Sequence, residues 1–301
     1  MNRWIKRLGY AVGGFLGMVL LAAAGVYGFS EARYRKQYDI APGPITVKTD
    51  SIAVARGSHL AHAIAGCAEC HGANLEGAVV VDDPAFGRIY APNLTSGKGG
   101  LGGKLSEADI VRAVRHGVGP DGRALKIMPS EDYVSVTDED LASIVAFVKS
   151  SPPVDHETPA ITVGPIARML MVAGKLPLLH AETIDHSRPS IASVTPAATI
   201  GYGAYLANIG CRGCHGPKFS GGRIASGPPD WPPAANLTPA GPTKDWKEED
   251  FRRVLREGKR PDGSPVNVVM PWKMTRNMTD DEIRAVYLYT RSLPAVGASG
   301  Q

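Results

Sequence analysis

All four cysteines of the chain fall in two pentads, Cys67-Ala68-Glu69-Cys70-His71 and Cys211-Arg212-Gly213-Cys214-His215. A CxxCH motif is the attachment signature of a covalent haem. The two thiols add to the vinyl groups as thioethers, and the adjoining imidazole reaches the iron as proximal ligand. One such motif can arise by chance, and a bare CxxC can be a redox dithiol or half a zinc site. Two in register, with matching sequence downstream, read as two covalently bound haems c, with no cysteine left for disulfides or zinc.

The downstream match makes the pentads parts of one module written twice. Ala91-Pro92-Asn93-Leu94-Thr95 answers Ala234-Ala235-Asn236-Leu237-Thr238, and Pro120-Asp121-Gly122 answers Pro261-Asp262-Gly263, all at offsets of 141 to 144 residues. Gly57 and Gly201 each precede their pentad by ten residues, so the leading helix is expected to repeat in that register. A period this long is a duplicated domain rather than a solenoid repeat. The 301 residues suffice for two domains, each with its own core.

Each half ends in a legible helix. Thr137-Asp138-Glu139-Asp140 and Thr279-Asp280-Asp281-Glu282 supply an N-cap and acidic first turn, and Pro152 and Pro294 lie past the ends. Leu141, Ile144, Val145 and Val148 recur at helical spacing, as do Ile283, Val286, Tyr287 and Thr290. Strand signals are scarce and Gly and Pro punctuate the rest, which predicts an all-α class with long loops.

Before the first module, Leu8 to Phe29 carries no charged side chain and is long enough to cross a bilayer as one helix. It reads as a membrane anchor. The alternative is a secretory signal, with Arg3, Lys6 and Arg7 as the basic region and Ala22-Ala23-Ala24 near the cleavage site. Arg33, Arg35 and Lys36 follow it, so charge does not orient the helix; attachment of haem c in bacteria occurs outside the cytoplasmic membrane and assigns the bulk of the chain to the periplasm. The expected division is 1–36 anchor or signal, 50–152 first haem domain, 153–198 linker and 199–296 second haem domain. In the linker, Ile166, Met169, Leu170 and Ala173 mark a short amphipathic helix, expected to pack between the domains or, alternatively, to dock a partner or lie on the bilayer.

A haem iron that shuttles electrons needs a second axial ligand. Between His71 and the end of the first module the only methionine is Met128, followed by Pro129; Met270-Pro271 stands 142 residues further on. Met274 and Met278 are rivals out of register. A single methionine is more often gap-filling core, but two at equivalent places nominate Met128 and Met270. From Pro189 to Gln301 the only histidine is His215, so local bis-His ligation is impossible there. The first module also holds His59, His62 and His116; a bis-His or switching haem stays open, with surface positions for the first two and a solvated helix end for the third as the plainer readings.

Other patterns carry little. Gly97 to Gly102 fits GxGxxG, but no strand precedes it, and it reads as a flexible loop. The three Asn-x-Thr triplets are formal glycosylation sequons of no weight. With 33 basic against 29 acidic residues and no basic, aromatic-rich block, nucleic-acid binding has no support.

With CxxCH, the Asn-Leu-Thr segment, the Asp-Gly loop, the Met-Pro pair and a terminal helix before proline, each half resembles a class I cytochrome c domain. The run Arg112 to Pro129 and Ala91 to Thr95 look like the cytochrome c subunits of bacterial membrane-bound alcohol, gluconate and aldehyde dehydrogenases. That resemblance implies an electron-transfer relay with no bond chemistry of its own, whose partners would be a dehydrogenase catalytic subunit, a quinol-oxidising complex or a terminal oxidase. It implies haem attachment at Cys67, Cys70, Cys211 and Cys214, proximal ligands His71 and His215, and distal ligands Met128 and Met270. The family commonly has three haem motifs and often a C-terminal membrane segment, whereas here two motifs follow an N-terminal one. The alternative is a dihaem enzyme such as a peroxidase, which needs a displaceable sixth ligand.

Overall fold

A computed structural model describes residues 3–225, 227–228 and 230–297. A 32-residue helix, α1 (Arg3–Tyr34), leads into the first module: α2 (Ser51–His59), α3 (Cys67–His71), α4 (Glu107–His116), α5 (Ser130–Tyr133) and α6 (Asp138–Ser150). After the linker, α8 (Ile200–Gly210), α9 (Arg212–His215), α10 (Glu248–Glu257), α11 (Trp272–Thr275) and α12 (Asp280–Ser292) repeat that order.

The helix boundaries follow from their caps. Thr137 and Thr279 accept from the backbone N–H of Asp140 and Glu282, and the Glu282 carboxylate returns a bond to the Thr279 N–H, at 2.9 Å. Ser106 and Asp109 cap α4 reciprocally, and Gly117 and Gly258 end α4 and α10 in the left-handed conformation. The expected terminal-helix faces are inside: Leu141, Val145 and Ile283 are fully buried.

Each leading helix crosses its terminal helix at a glycine. A Cβ on Gly57 would lie 1.9 Å from the Ser143 carbonyl oxygen, and one on Gly203 would lie 1.9 Å from that of Ala285. Gly57 therefore corresponds to Gly203, not to Gly201, around which a Cβ meets nothing within 4 Å. The two extra residues of the first module are taken up by a π-helical turn, Leu60–Ile64, and by Gly66, whose φ is +64°. A π turn bonds i to i+5 and so accommodates an extra residue within a helix.

The all-α expectation needs a correction. β1 (Ala78–Asp83) and β2 (Gly87–Ala91) form an antiparallel hairpin, to which β3 (Thr162–Val163) of the linker adds a third strand. The β-branched run Val79-Val80-Val81 is the local signal for it. The second module keeps a single bridge at this place, Gly222 to Ala234.

The linker does not place its helix between the modules; only its last stretch runs along both, with the Ile191 and Ala192 carbonyls accepting from Asp138 and Glu139 N–H and Val194 packed on buried apolar residues. Its helix α7 (Pro165–Val172) packs on the C-terminal end of α1, and Ala167 and Met171 join Tyr34, Val118, Leu178 and Leu179 in a satellite core. Its predicted inner face is turned outward: Ile166 and Met169 are exposed. The glycine-rich segment 97–102 is also not a loose loop. A Cβ on Gly97, Gly100 or Gly102 would stand 2.1–2.2 Å from the carbonyl oxygens of Val154, Thr95 and Leu94.

The modules share one apolar core rather than burying two separate ones, because α8 meets the π turn so closely that a Cβ on Gly210 would lie 2.6 Å from the Ile64 carbonyl oxygen. Polar groups join the modules in an approximate two-fold pattern. Asp140 receives Arg56 (2.8 Å) from its own module and the Tyr205 hydroxyl (2.7 Å) from the other. Its counterpart Glu282 receives the Tyr202 hydroxyl (3.3 Å) from its own module and faces His59 Nε2 (2.8 Å) from the other. His59 is thus an interface residue and not a free surface one. Both carboxylates are the third residue of their helix; Glu282 closes its cap as well as the interface, whereas at Asp140 the Thr137 N–H turns instead to the Tyr205 hydroxyl of the other module.

Candidate haem-binding clefts

Both CxxCH segments fold as one helical turn ended by a glycine with positive φ, Gly72 at +84° and Gly216 at +78°. That conformation turns the chain back, so that Gly77 N–H donates to the His71 carbonyl and Gly221 N–H to that of His215. Leu75 and Phe219, both buried, take left-handed backbone angles at the matching point of each turn.

The proximal histidines are held alike. His71 Nδ1 lies 2.9 Å from the Pro92 carbonyl oxygen and His215 Nδ1 lies 2.7 Å from that of Ala235. A carbonyl only accepts, so Nδ1 carries the proton and Nε2 presents its lone pair. Burial lowers the pKa of both rings, against the pull of those carbonyls, and favours the neutral form. A neutral imidazole oriented through its second nitrogen is what a metal requires of a histidine.

The four cysteines are unpaired with one another. Burial, and then the neighbouring cysteine, pushes the Cys67 and Cys211 thiols up to about 12; burial also raises Cys70 and Cys214. Redox dithiols need a depressed thiol pKa. The microenvironment here is the opposite, which sets the dithiol alternative aside.

In the first module, Cys67, Cys70 and His71 line one side of a largely apolar cavity whose walls also include Ile127, Met128 and Pro129. None of His59, His62 and His116 lines it. His62 faces the backbone carbonyls of Ser58 and Ala73. His116 is buried rather than solvated; its ring meets His186, and burial followed by that neighbour lowers its pKa to about 4. An apolar slot with two thiols, a free imidazole nitrogen and a thioether in its walls fits a haem c.

The second module repeats the backbone frame around Met270. Pro129 and Pro271 have φ,ψ of −80°,56° and −79°,56°, and Ser130 and Trp272 N–H each donate to the methionine carbonyl at 2.8 Å. The rivals Met274 and Met278 are buried in packing, with the Met274 sulfur against Gly66.

The Asn-Leu-Thr segments have a structural role that their sequence alone did not disclose. Asn93 Nδ2 donates to the Val154 carbonyl (2.8 Å), and Asn236 Nδ2 to that of Val296 (2.8 Å). Each clamp ties the carbonyl-bearing proximal loop to the chain leaving the terminal helix. Recurrence at equal spacing beside the proximal carbonyl was the available signal.

Comparison with known proteins agrees with this geometry. The family description "Cytochrome c" matches residues 54–152, and "Cytochrome C oxidase, cbb3-type, subunit III" matches residues 197–289. The chain is 28% identical to the fructose dehydrogenase cytochrome subunit of Gluconobacter japonicus, over 86% of this chain and 56% of that protein. It is 30% identical to the gluconate 2-dehydrogenase cytochrome c subunit of Pantoea cypripedii, over 82% and 60%. A dihaem cytochrome c-type protein of Cereibacter sphaeroides is 28% identical over 77% of this chain and 83% of its own length. The chain spans little more than half the length of the dehydrogenase subunits it matches.

Proposed function

Since this chain carries two cytochrome c domains and is homologous to the cytochrome c subunits of fructose, gluconate and alcohol dehydrogenases, we propose that it is a membrane-anchored dihaem electron relay. The single observation that carries this reading is the duplicated proximal frame: in both modules an imidazole Nδ1 is spent on a backbone carbonyl beside a CxxCH turn.

Haem iron supplies the one-electron chemistry. Cys67 and Cys70, and Cys211 and Cys214, tether the two groups. His71 and His215 offer Nε2 to the iron in a fixed ring orientation. Met128 and Met270 would supply thioethers to the iron, ligands that favour its ferrous state. The apolar walls of the first cleft exclude water, so little must reorganise there when the charge changes.

In this proposal residues 1–36 hold the protein in the cytoplasmic membrane, and residues 50–152 and 199–296 lie in the periplasm, joined by 153–198. The electron donor would be a dehydrogenase catalytic subunit or a quinol-oxidising complex, and a terminal oxidase the acceptor. The chain itself would not be an enzyme.

The alkaline haemochrome assay should give two haems c per chain; one or none would sink the proposal. Ferric protein should show the weak far-red band of methionine-to-iron charge transfer. Peroxide turnover at enzymatic rates would favour a dihaem peroxidase instead. Subunits retained on purification in mild detergent would identify the partner.

A further inference from the structure

Helix α7 has the sequence Pro165-Ile-Ala-Arg-Met-Leu-Met-Val172, with one charged residue in eight. That residue faces inward. Arg168 donates to Ser30 Oγ at 2.7 Å and to the Val163 carbonyl at 3.2 Å, lies 3.6 Å from Glu31, and its guanidinium sits 4.9 Å from the ring centres of Tyr27 and Tyr34. Ala167 and Met171 also face inward, each 1% exposed. What remains for the outside is Ile166 and Met169, 37% and 48% exposed, with no polar side chain among them. A helix that is apolar all round belongs under apolar cover.

The position of α7 identifies that cover. Its partners on α1 are Tyr27, Ser30, Glu31, Arg33 and Tyr34, with Arg33 donating to the Met171 carbonyl at 3.0 Å and pairing with Glu182. These lie at the end of the uncharged stretch Leu8 to Phe29. At 1.5 Å per residue, that stretch measures about 33 Å, against about 30 Å of bilayer hydrocarbon. α7 therefore stands level with one edge of the hydrocarbon. Phe29, 56% exposed, extends the apolar surface of α1 at that level. Arg35, Lys36 and Lys175 are exposed around it, at the depth where lipid phosphates lie.

We infer that α7 is an interfacial membrane helix, with Ile166 and Met169 seated in the bilayer that α1 crosses. This rests on the reading of α1 as a membrane span. The contacts of Arg33 and Arg168 fix α7 to α1, so the first haem module is held against the membrane instead of swinging on a tether.

The test uses the haem-loaded full chain in phosphatidylcholine–phosphatidylglycerol vesicles. Nitroxides are placed singly at Met169→Cys, at Leu16→Cys in α1, and at Ile52→Cys on the first module, where the side chain is 80% exposed. Collision with oxygen is compared with collision with a water-soluble nickel chelate. The oxygen-to-chelate ratio at 169 should lie well above that at 52 and approach that at 16. A ratio at 169 equal to that at 52, with 16 in lipid, overturns the inference alone. A water-like ratio at 16 removes the membrane span, and this inference with it.

Discussion

The two modules share a frame and differ in what covers it. In the first, the loop from Gly117 to Met128 is sheathed by the chain on both sides of the module. Tyr38 N–H donates to the Gly122 carbonyl, Gln37 bridges to Arg123, and Ile127 N–H donates to the Leu178 carbonyl. Val118 is fully buried there and Ala124 nearly so. In the second, the same hairpin is closed by the bridge from Lys259 to Pro265, at the places of Val118 and Ala124, and Val268, two residues before Met270, is 89% exposed. Duplication preserved the backbone frame of the pentads and of the Met-Pro turns, while α1 and the linker enclosed only one copy. A haem in the first cleft would be insulated, and one in the second would face solvent near its methionine.

The largest effects should come from the distal ligands. Met128→Ala and Met270→Ala should each abolish about half of the far-red charge-transfer band and lower one of the two midpoint potentials, since thioether ligation raises the potential. Imidazole should then enter the second-module variant much faster than the first. Equal binding rates would break the contrast between an enclosed and an open loop.

Next come the helix crossings, where the modules should behave alike. Gly57→Ala and Gly203→Ala each force a methyl into a carbonyl oxygen, and overpacking of this kind costs about 1–3 kcal/mol or more. Gly201→Ala has free space and should be neutral or stabilise α8 by up to about 1 kcal/mol. Denaturant midpoints of the three variants measure this directly. A destabilised Gly201→Ala would restore the register in which Gly201 answers Gly57.

That register marks where sequence reading ends. The pentad turns, the paired Met-Pro frames and the caps at Thr137 and Thr279 were legible because each is a short-range pattern: a five-residue motif, a dipeptide repeated in register, a side chain bonding three residues on. The Gly57 spacing misled, because counting back from the cysteines cannot see a π turn and a left-handed Gly66 that together absorb two residues. The face of α7 was misassigned for a related reason. Periodicity finds an apolar stripe but does not say which side its single arginine takes, and Arg168 turned inward to meet Ser30 and the tyrosines of α1. His59 and His116 looked like surface residues because their partners, Glu282 and His186, are 223 and 70 residues away.

The interface carboxylates give a third test, with a pH signature. Burial works to raise the Glu282 pKa, but His59, the Thr279 N–H and the charge of Arg56 outweigh it and hold the group below the ordinary glutamate value. A depressed carboxylate pKa contributes stability above the unfolded value, and that contribution is lost as the pH falls through the folded one. Glu282→Gln should therefore cost about 1–3 kcal/mol at neutral pH. The deficit should shrink as the pH falls below about 4.5, the ordinary value. A constant deficit across that window would mean that the carboxylate acts through shape and not charge.

The smallest expected effect has the opposite sign, and it lies where the modules touch near their haem motifs. Asp132 of α5 stands so close to the second motif that a Cβ on Gly213 would lie 2.5 Å from its carboxylate, whereas its counterpart in α11, Met274, puts a sulfur against Gly66 before the first motif. Burial, and then neighbouring Glu131, raise the Asp132 pKa to about 6. A raised carboxylate pKa favours the protonated fold: its contribution is present below the unfolded value and lost as the pH rises through about 6. Asp132→Asn should thus leave stability near pH 4 unchanged and raise it above pH 6 by a few tenths of a kcal/mol, a size that allows for partial solvent screening. Thermal midpoints on either side of that window read the sign. A variant that is less stable at high pH would mean that the Asp132 charge is paired across the interface, and that the acidic contact and the thioether contact serve the same adhesive purpose.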